Sequence, residues 1–150
     1  MPNKLYLTDC YLREFDAVVV SVKDKKYIIL DKTAFYPIGV GEPHYTGKII
    51  CNQKEYNIIF VRTFNDEIIH EVDIDGLRPG DNVHCIVNWD RRYKLMRMHT
   101  ATHILCSVIN KESGALITGN QLAEDKTRVD FSLEKFDKEQ IQGYIEKAND

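Results

Sequence analysis

A single change of pattern near residue 89 most constrains how this chain can fold. Between residues 15 and 88, short runs rich in β-branched residues recur at close spacing, separated by glycine, proline and charged turn signals. The stretch 90–113 then contains neither glycine nor proline, which favours one long helix. We therefore predict an α+β fold in two parts, a small β-barrel subdomain over 1–89 followed by a helix–strand–helix portion over 90–150.

The N-terminal runs are predicted to close into the barrel. "FDAVVVSV" and "KYIILD" flank the charged turn "KDKK" and predict a β-hairpin. "NVHCIVNW" alternates, so Val83, Cys85 and Val87 are expected to share one face of a strand. Many short strands joined by turns are typical of a small barrel.

The second part is predicted from helix and strand signals. Asp90 is the expected N-cap of the long helix. "SGALITGNQLAED" is interpreted as a loop, whereas "KTRVDFSL" alternates and predicts a strand. Asp137, with Gln140 three residues later, is typical of a capping box for a final helix. Because neither glycine nor proline follows this helix, we expect the polypeptide to continue beyond Asp150.

The composition excludes several classes of protein. The 150 residues are 43% hydrophobic and 29% charged, which is enough to bury a core. The net charge of −3 argues against a strongly basic nucleic-acid scaffold but allows a local basic patch. The scattered cysteines, which lack a CxxC motif, predict reduced thiols in a cytoplasmic protein. A signal peptide and a run of about 18 apolar residues are both absent, so we predict no membrane association.

The stretch "MRMHTATHIL" places His99 and His103 four residues apart in the long predicted helix. Residues at this spacing share a helix face, so two imidazoles can reach one zinc ion at about 2.0–2.1 Å. The pair alone leaves two interpretations open, half of a metal site or ordinary helix histidines. Position 100 is threonine, so the glutamate base of an HExxH site is missing. Cys106 lies roughly 10 Å along the axis from His99, too far to bind the same ion easily.

Four sequence blocks occur in the order seen in a known family. They are "LYLTDCYLREFDAVV", "ILDKTAFYPIGVGEP", "WDRRYKLMRMHTATHIL" and "GNQLAEDKTRVDFSL". Together they resemble the AlaX-type alanyl-tRNA editing proteins and the editing domain of alanyl-tRNA synthetase, over essentially the whole chain. The first block begins close to Met1, as in free-standing editing proteins. The glycine-containing motif in the barrel resembles that of the medium and long forms.

The resemblance implies a trans-editing hydrolase that acts on alanine tRNA charged with serine or glycine. It also implies one zinc ion, bound by His99, His103 and a later Cys-x-x-x-His element. The sequence ends before such an element, so we expect the remaining ligands beyond Asp150. The 150-residue chain alone is then expected to be inactive. The preference between serine and glycine and the oligomeric state stay open.

The resemblance further assigns Thr33, in the "TAFYP" block, to recognition of the serine hydroxyl. The alternative is a strand-end threonine that caps its own backbone. The adjoining glycine motif keeps Gly39 and Gly41. It departs from the usual family pattern at four positions, which are Ile38, Val40, Glu42 and His44. No specificity role is carried over to those four residues.

A basic cluster precedes the histidine pair, and we assign Arg91, Arg92 and Arg97 to the phosphates of the tRNA. The alternative is a solvated helix face. Asn120 and Gln121 are assigned to the substrate near its ester, with a purely structural loop role as the alternative.

Two rival functions are considered. In the first, the chain is a non-catalytic RNA-binding or structural module with vestigial histidines. In the second, it is an unrelated metallohydrolase, and the absence of HExxH and of a carboxylate-rich cluster counts against this. Trp89 is predicted to be a core residue at the junction rather than a platform for base stacking.

Overall fold

The computed structural model of the chain describes residues 3–39, 41–133 and 137–149. The described strands are β1 (Asn3–Lys4), β2 (Glu14–Lys23), β3 (Tyr27–Leu30), β4 (Lys32–Thr33), β5 (Gly47–Cys51), β6 (Lys54–Phe64), β7 (Glu67–Val72), β8 (Asn82–Val87), β9 (Ile117–Leu122) and β10 (Thr127–Phe131). The described helices are the 3-10 helix Leu5–Leu7, α1 (Trp89–Ser113) and α2 (Lys138–Asn149). None of these helices combines the length and the apolar character needed to cross a membrane.

The chain divides into two compact units, Met1–Arg92 and Tyr93–Asp150. In the first unit, six strands close into a barrel in the order β2-β3-β7-β6-β5-β8. All neighbours in this barrel are antiparallel, while β1 pairs with β4 in parallel. The predicted α+β fold with an N-terminal barrel is therefore confirmed.

Tight two-residue turns set the register of three barrel hairpins. Both residues of each turn have positive φ, as in the type I′ turns that match the twist of paired strands. The turn pairs are Asp24 and Lys25, Asn52 and Gln53, and Asn65 and Asp66. An Asx residue opens each pair and tolerates this conformation better than most side chains do. The hairpin predicted around "KDKK" is confirmed.

Alternating strand residues fill the barrel. Phe15, Ala17 and Val19 of β2 are buried, as period-two alternation requires. On β8, Val83, Cys85 and Val87 are buried, so the predicted inward face is confirmed. The barrel is thus closed around a core of mainly β-branched and aromatic side chains.

The first turn of α1 corrects the predicted N-cap. Asn88 Oδ1 accepts a hydrogen bond from the backbone N–H of Arg91 at 3.2 Å. The Asn88 carbonyl accepts the N–H of Arg92 at 3.0 Å, the first bond of the helix. Asn88 is therefore the N-cap, and the prediction of Asp90 was wrong. Asp90 lies inside the first turn, where its carboxylate favourably meets the positive end of the helix dipole.

Replacing Asn88 with alanine is expected to lower the free energy of unfolding by about 1 kcal/mol, because one helix N–H loses its side-chain acceptor. Urea unfolding followed by circular dichroism measures this change. Asp90→Asn removes the charge but not the cap, so it should cost only about 0.3–0.5 kcal/mol. A larger loss in Asp90→Asn than in Asn88→Ala would restore Asp90 as the dominant capping group.

Signals at the helix ends also define the second unit. After Ser113, Gly114 adopts φ 73° and its N–H donates to the Asn110 carbonyl at 2.8 Å, which ends α1. Asp137 Oδ1 accepts the N–H of Glu139 at 3.1 Å, so the predicted N-cap of α2 is confirmed. The predicted strand in "KTRVDFSL" is confirmed as β10.

The segment predicted as a loop contains a strand. β9 pairs antiparallel with β10, with Asn120 opposite Val129 and Gln121 opposite Arg128. Only one residue of β9 is buried, so the strand lacks the apolar alternation by which a half-buried strand is recognised. Gly119 lies opposite Asp130, whose carboxylate would stand 3.0 Å from an added Cβ. Gly119, which favoured the prediction of a loop, is instead a strand residue whose missing side chain leaves room for Asp130 on the neighbouring strand.

Candidate functional site

Helix α1 presents the two histidines of the "HTATH" stretch side by side. The ring centroids of His99 and His103 lie 4.8 Å apart and their planes are inclined by 20°. His99 is partly exposed and His103 is exposed. Two imidazoles on one helix face can both offer a nitrogen lone pair to a single ion.

The donors needed for zinc are only partly present in the described residues. In 3–39, 41–133 and 137–149, no group of three or more His, Cys, Asp or Glu side chains is placed to hold a metal. Cys106 is buried, and burial raises the pKa of its thiol, which disfavours the thiolate that zinc binds. His99 and His103 therefore fit two positions of a zinc site that usually has three protein ligands. The zinc assignment stays a prediction.

Arg92 is buried instead of facing solvent, being only 1% exposed. Its guanidinium donates to the carbonyl of Leu12 at 2.8 Å and to that of Asp9 at 3.4 Å. The same group lies 5.2 Å from the centre of the Tyr45 ring. A cation enclosed in this way cannot reach a phosphate, so we correct the prediction. Arg92 is a structural residue that holds segment 9–12.

The other two arginines of the basic cluster differ from each other. Arg91 is partly buried, and its Nε and Nη2 donate to the carbonyl of His44 at 3.3 and 3.2 Å. This contact ties the start of α1 to the loop that carries the glycine motif. Arg97 is exposed, with its guanidinium 5.9 Å from the centre of the Tyr93 ring. Its predicted contact with phosphate remains sterically open and stays a prediction.

Thr33 is fully buried, and its hydroxyl already has protein partners. Its Oγ1 accepts the backbone N–H of Phe35 at 3.1 Å. The same oxygen lies 2.9 Å from Nε2 of His70. The first bond is the local backbone cap that sequence reasoning left open as the alternative. Because Thr33 is 0% exposed, a serine hydroxyl reaches its oxygen only after the surrounding side chains move, and the predicted contact stays a prediction.

His70 is the buried polar residue that the sequence reasoning missed. It is 0% exposed, and its Nδ1 lies 3.1 Å from the carbonyl of Ile28, which can only accept. Nδ1 therefore carries the proton and Nε2 accepts the hydroxyl proton of Thr33. Burial lowers the pKa of His70 to about 4. The available signal was alternation in "EIIHEV", where Ile68, His70 and Val72 share the inward face.

The structure separates Asn120 from Gln121. Both are exposed on β9, and adjacent strand residues project to opposite faces of a sheet. One face of the β9–β10 pair therefore carries Asn120 and the other carries Gln121. A shared role on one side of a substrate is excluded by this geometry, while the role of each residue singly stays a prediction.

The glycine motif is held by reciprocal backbone bonds. The N–H of Gly39 donates to the Glu42 carbonyl at 3.1 Å, and the N–H of Glu42 donates to the Gly39 carbonyl at 2.9 Å. Gly41 adopts φ 77°, which glycine tolerates best. His44 Nε2 donates to the carbonyl of Ile59 at 3.1 Å, whereas Val40 lies outside the described residues. Of the residues that depart from the usual motif, Glu42 is thus bonded within the loop and His44 is bonded to barrel strand β6.

Comparison with known proteins supports the resemblance seen in the four blocks. Residues 10–91 match the family profile of tRNA synthetases class II (A). The "Alanyl-tRNA editing protein AlaX-M" of Methanosarcina barkeri is 50% identical over 156 residues, covering 100% of this chain and 64% of that protein. The protein of the same name from Methanosarcina acetivorans is 52% identical over 157 residues, covering 99% of this chain and 64% of that protein. The predicted resemblance is thereby confirmed.

A second class of relative is much longer. The "Alanine--tRNA ligase" of Ignicoccus hospitalis is 38% identical over 150 residues, which are 98% of this chain but 16% of the ligase. Even for the editing proteins, the chain spans 64% of their length. The similarity therefore relates this chain to one part of each relative.

Proposed function

Because the chain belongs to the class II (A) tRNA synthetase family, we propose that it is part of a cytoplasmic hydrolase that deacylates alanine tRNA carrying serine or glycine. The observation that carries the proposal is the pair of stacked imidazoles, His99 and His103, on one face of α1. The pair lies in a chain that is similar from end to end to alanyl-tRNA editing proteins.

The chemistry of an aminoacyl ester suits such a site. The hydrophobic pocket in which a synthetase selects alanine discriminates poorly against serine, which adds a single hydroxyl. A second site that hydrolyses the wrong ester is therefore needed. A zinc ion bound there supplies Lewis-acid polarisation and a water of lowered pKa. In this proposal His99 and His103 provide two of its ligands. No third donor accompanies them within residues 3–39, 41–133 and 137–149.

The other residues are proposed to bind and orient the tRNA and its amino acid. The exposed guanidinium of Arg97 is available to a phosphate, and either Asn120 or Gln121 can offer its amide to the ester. Thr33 donates its only hydroxyl proton to His70. It can therefore meet a serine hydroxyl only as an acceptor, with the remaining lone pair of its oxygen.

A non-catalytic RNA-binding or structural module is the second candidate. It is favoured by one observation, that the described residues place no third donor beside the two histidines. On this alternative the imidazoles are vestigial, and neither zinc binding nor ester hydrolysis depends on them.

Deacylation assays separate the two candidates. We expect the intact protein, including any residues that follow Asp150, to hydrolyse seryl ester on alanine tRNA while leaving alanyl ester largely untouched. His99→Ala and His103→Ala should each lower this rate by at least about 100-fold, since even residues that only support a metal ligand cost 10–100-fold. The metal content of the same preparations should fall from about one zinc per protein towards none.

His84→Ala is the matched control, because His84 is a partly exposed histidine that lies on barrel strand β8 and not on α1. It should retain both zinc and activity. Full deacylation by the His99→Ala protein would overturn the zinc-dependent proposal. Absence of deacylation by the wild-type protein, with zinc bound, would favour the non-catalytic module.

A further inference from the structure

An aromatic and cationic patch lies on the first unit, at the end of α1 that joins the barrel. It consists of Tyr11, Arg13 and Trp89, and we call it the Trp89 patch. The ring centroids of Tyr11 and Trp89 are 5.7 Å apart, and the Arg13 guanidinium carbon lies 4.3 Å from the centre of the Trp89 ring. Tyr11 is 61% exposed, Arg13 is exposed and Trp89 is only partly buried. Trp89 is thus not the core residue that the sequence predicted.

The segment that carries Tyr11 and Arg13 is held firmly in place. The N–H of Tyr11 donates to Asp9 Oδ1 at 2.9 Å, and the buried Arg92 donates to the carbonyls of Asp9 and Leu12. The carbonyl of Arg13 accepts the N–H of Val87 at 2.8 Å. Because the segment that carries the exposed Tyr11 is already fixed at these points, binding of a ligand costs little conformational entropy there.

The local charges leave the cation of the patch available. Arg13 makes no ion pair within the described residues, and its guanidinium contacts the indole instead. Of the neighbouring carboxylates, Asp9 accepts the N–H of Tyr11, and Glu14 lies 3.1 Å from Nε2 of His84. The patch therefore presents a guanidinium that forms no ion pair within the described residues, beside an exposed aromatic ring.

We propose that the Trp89 patch binds unpaired nucleotides of RNA, with a base stacked on Tyr11 and a phosphate at Arg13. Exposed aromatic rings combined with arginine are how proteins hold single-stranded RNA, because every base has a flat π face and every nucleotide a negative charge. The identification of RNA rests on the proposed function, in which the substrate is a tRNA. In that setting the nucleotides are those of its single-stranded 3′ end.

The sole tryptophan of the chain makes the test direct, because all indole fluorescence comes from Trp89. The chain is titrated with a short single-stranded oligoribonucleotide ending in CCA, and with a blunt RNA duplex for comparison. We expect the single strand to change the emission saturably and to bind more tightly than the duplex. Tyr11→Ala should weaken binding by at least about 5-fold, the lower end of the effect of losing one base–aromatic stack. Arg13→Gln should reduce the dependence of affinity on salt.

Phe64→Ala is the matched control. Phe64 is 54% exposed in the same unit and has a guanidinium 6.0 Å from its ring centre, but it lies outside the patch. Its substitution should leave binding unchanged. Equal affinity of wild type and Tyr11→Ala, or equal affinity for duplex and single strand, would overturn the proposal. The titration uses neither an aminoacyl ester nor zinc, so it can succeed even if the proposed deacylation fails.

Discussion

Substituting Arg92 with leucine is expected to lower the free energy of unfolding by about 3 kcal/mol. The guanidinium is 1% exposed and donates to the carbonyls of Leu12 and Asp9. A hydrogen bond from a charged donor contributes about 1.5–3 kcal/mol, and leucine replaces neither of the two. The estimate of about 3 kcal/mol sits at the low end of their sum, because the Asp9 contact is long and that residue is exposed.

Urea unfolding, followed by circular dichroism and by Trp89 fluorescence, measures the change. Arg97→Leu is the matched control, since Arg97 is an exposed arginine of the same helix and should shift stability by no more than about 0.5 kcal/mol. Arg92→Lys keeps the positive charge, but the lysine ammonium lacks the planar guanidinium that reaches both carbonyls. We therefore expect its free energy of unfolding to lie between those of the wild type and Arg92→Leu. Equal stability of Arg92→Leu and Arg97→Leu would show that the buried hydrogen bonds contribute little.

The contrast between these two arginines shows what the sequence can predict. Both occur in one basic cluster, and only the fold distinguishes them. The partners of Arg92 lie 80 and 83 residues away along the chain. No local pattern encodes a contact over such a separation, so a buried structural arginine has the same sequence signature as a surface one.

Features with local causes were predictable. The barrel strands follow from period-two alternation and from turns whose Asx residues accept positive φ. The long helix follows from a stretch without glycine or proline. The predictions of the α1 N-cap and of a loop at β9 were wrong, the first because two local signals compete and the second because the local signal is missing. Asn88 and Asp90 are both good N-cap residues, and only the end of β8 at Val87 decides between them. Strand β9 is too exposed to show an alternation of apolar and polar residues.

The candidate site shows the same division. The i, i+4 spacing of His99 and His103 is a local property, so their shared face on α1 was predictable. The hydrogen bond between Thr33 and His70 joins residues 37 positions apart, so it was not predictable from local sequence. Only the closed barrel brings these two side chains together, and it leaves the imidazole without access to water.

Lowering the pH from 7 to below 4 is expected to remove about 3 kcal/mol of stability through His70 alone. Burial lowers the folded-state pKa of His70 to about 4, whereas the unfolded value is about 6.5. Between pH 6.5 and 4, His70 is protonated in the unfolded chain but remains neutral in the folded chain, so the free energy of unfolding falls as the pH is lowered. The contribution is complete above about pH 6.5 and is lost as the pH falls through 4.

The opposite behaviour of His84 supplies the control. The hydrogen bonds that His84 donates to the carboxylates of Asp16 and Glu14 raise its pKa. The contribution of His84 to stability is therefore present below about pH 6.5 and is lost as the pH rises through the raised value. This contribution should stay below about 1 kcal/mol because the pair is exposed. His84→Gln should therefore change the upper part of the pH profile slightly and leave the acid loss intact.

The proton on His70 can be followed directly, which avoids dependence on a variant that fails to fold. Nitrogen-15 NMR of the imidazole should report the Nδ1-protonated tautomer at neutral pH, because Ile28 can only accept from Nδ1. The signal should not titrate until the pH approaches 4. Titration near 6.5 would mean that water reaches the ring, and the barrel would then be open at Thr33. An unpaired Thr33 hydroxyl could in that case donate as well as accept, so the same spectrum decides which hydrogen bond Thr33 can offer a serine side chain.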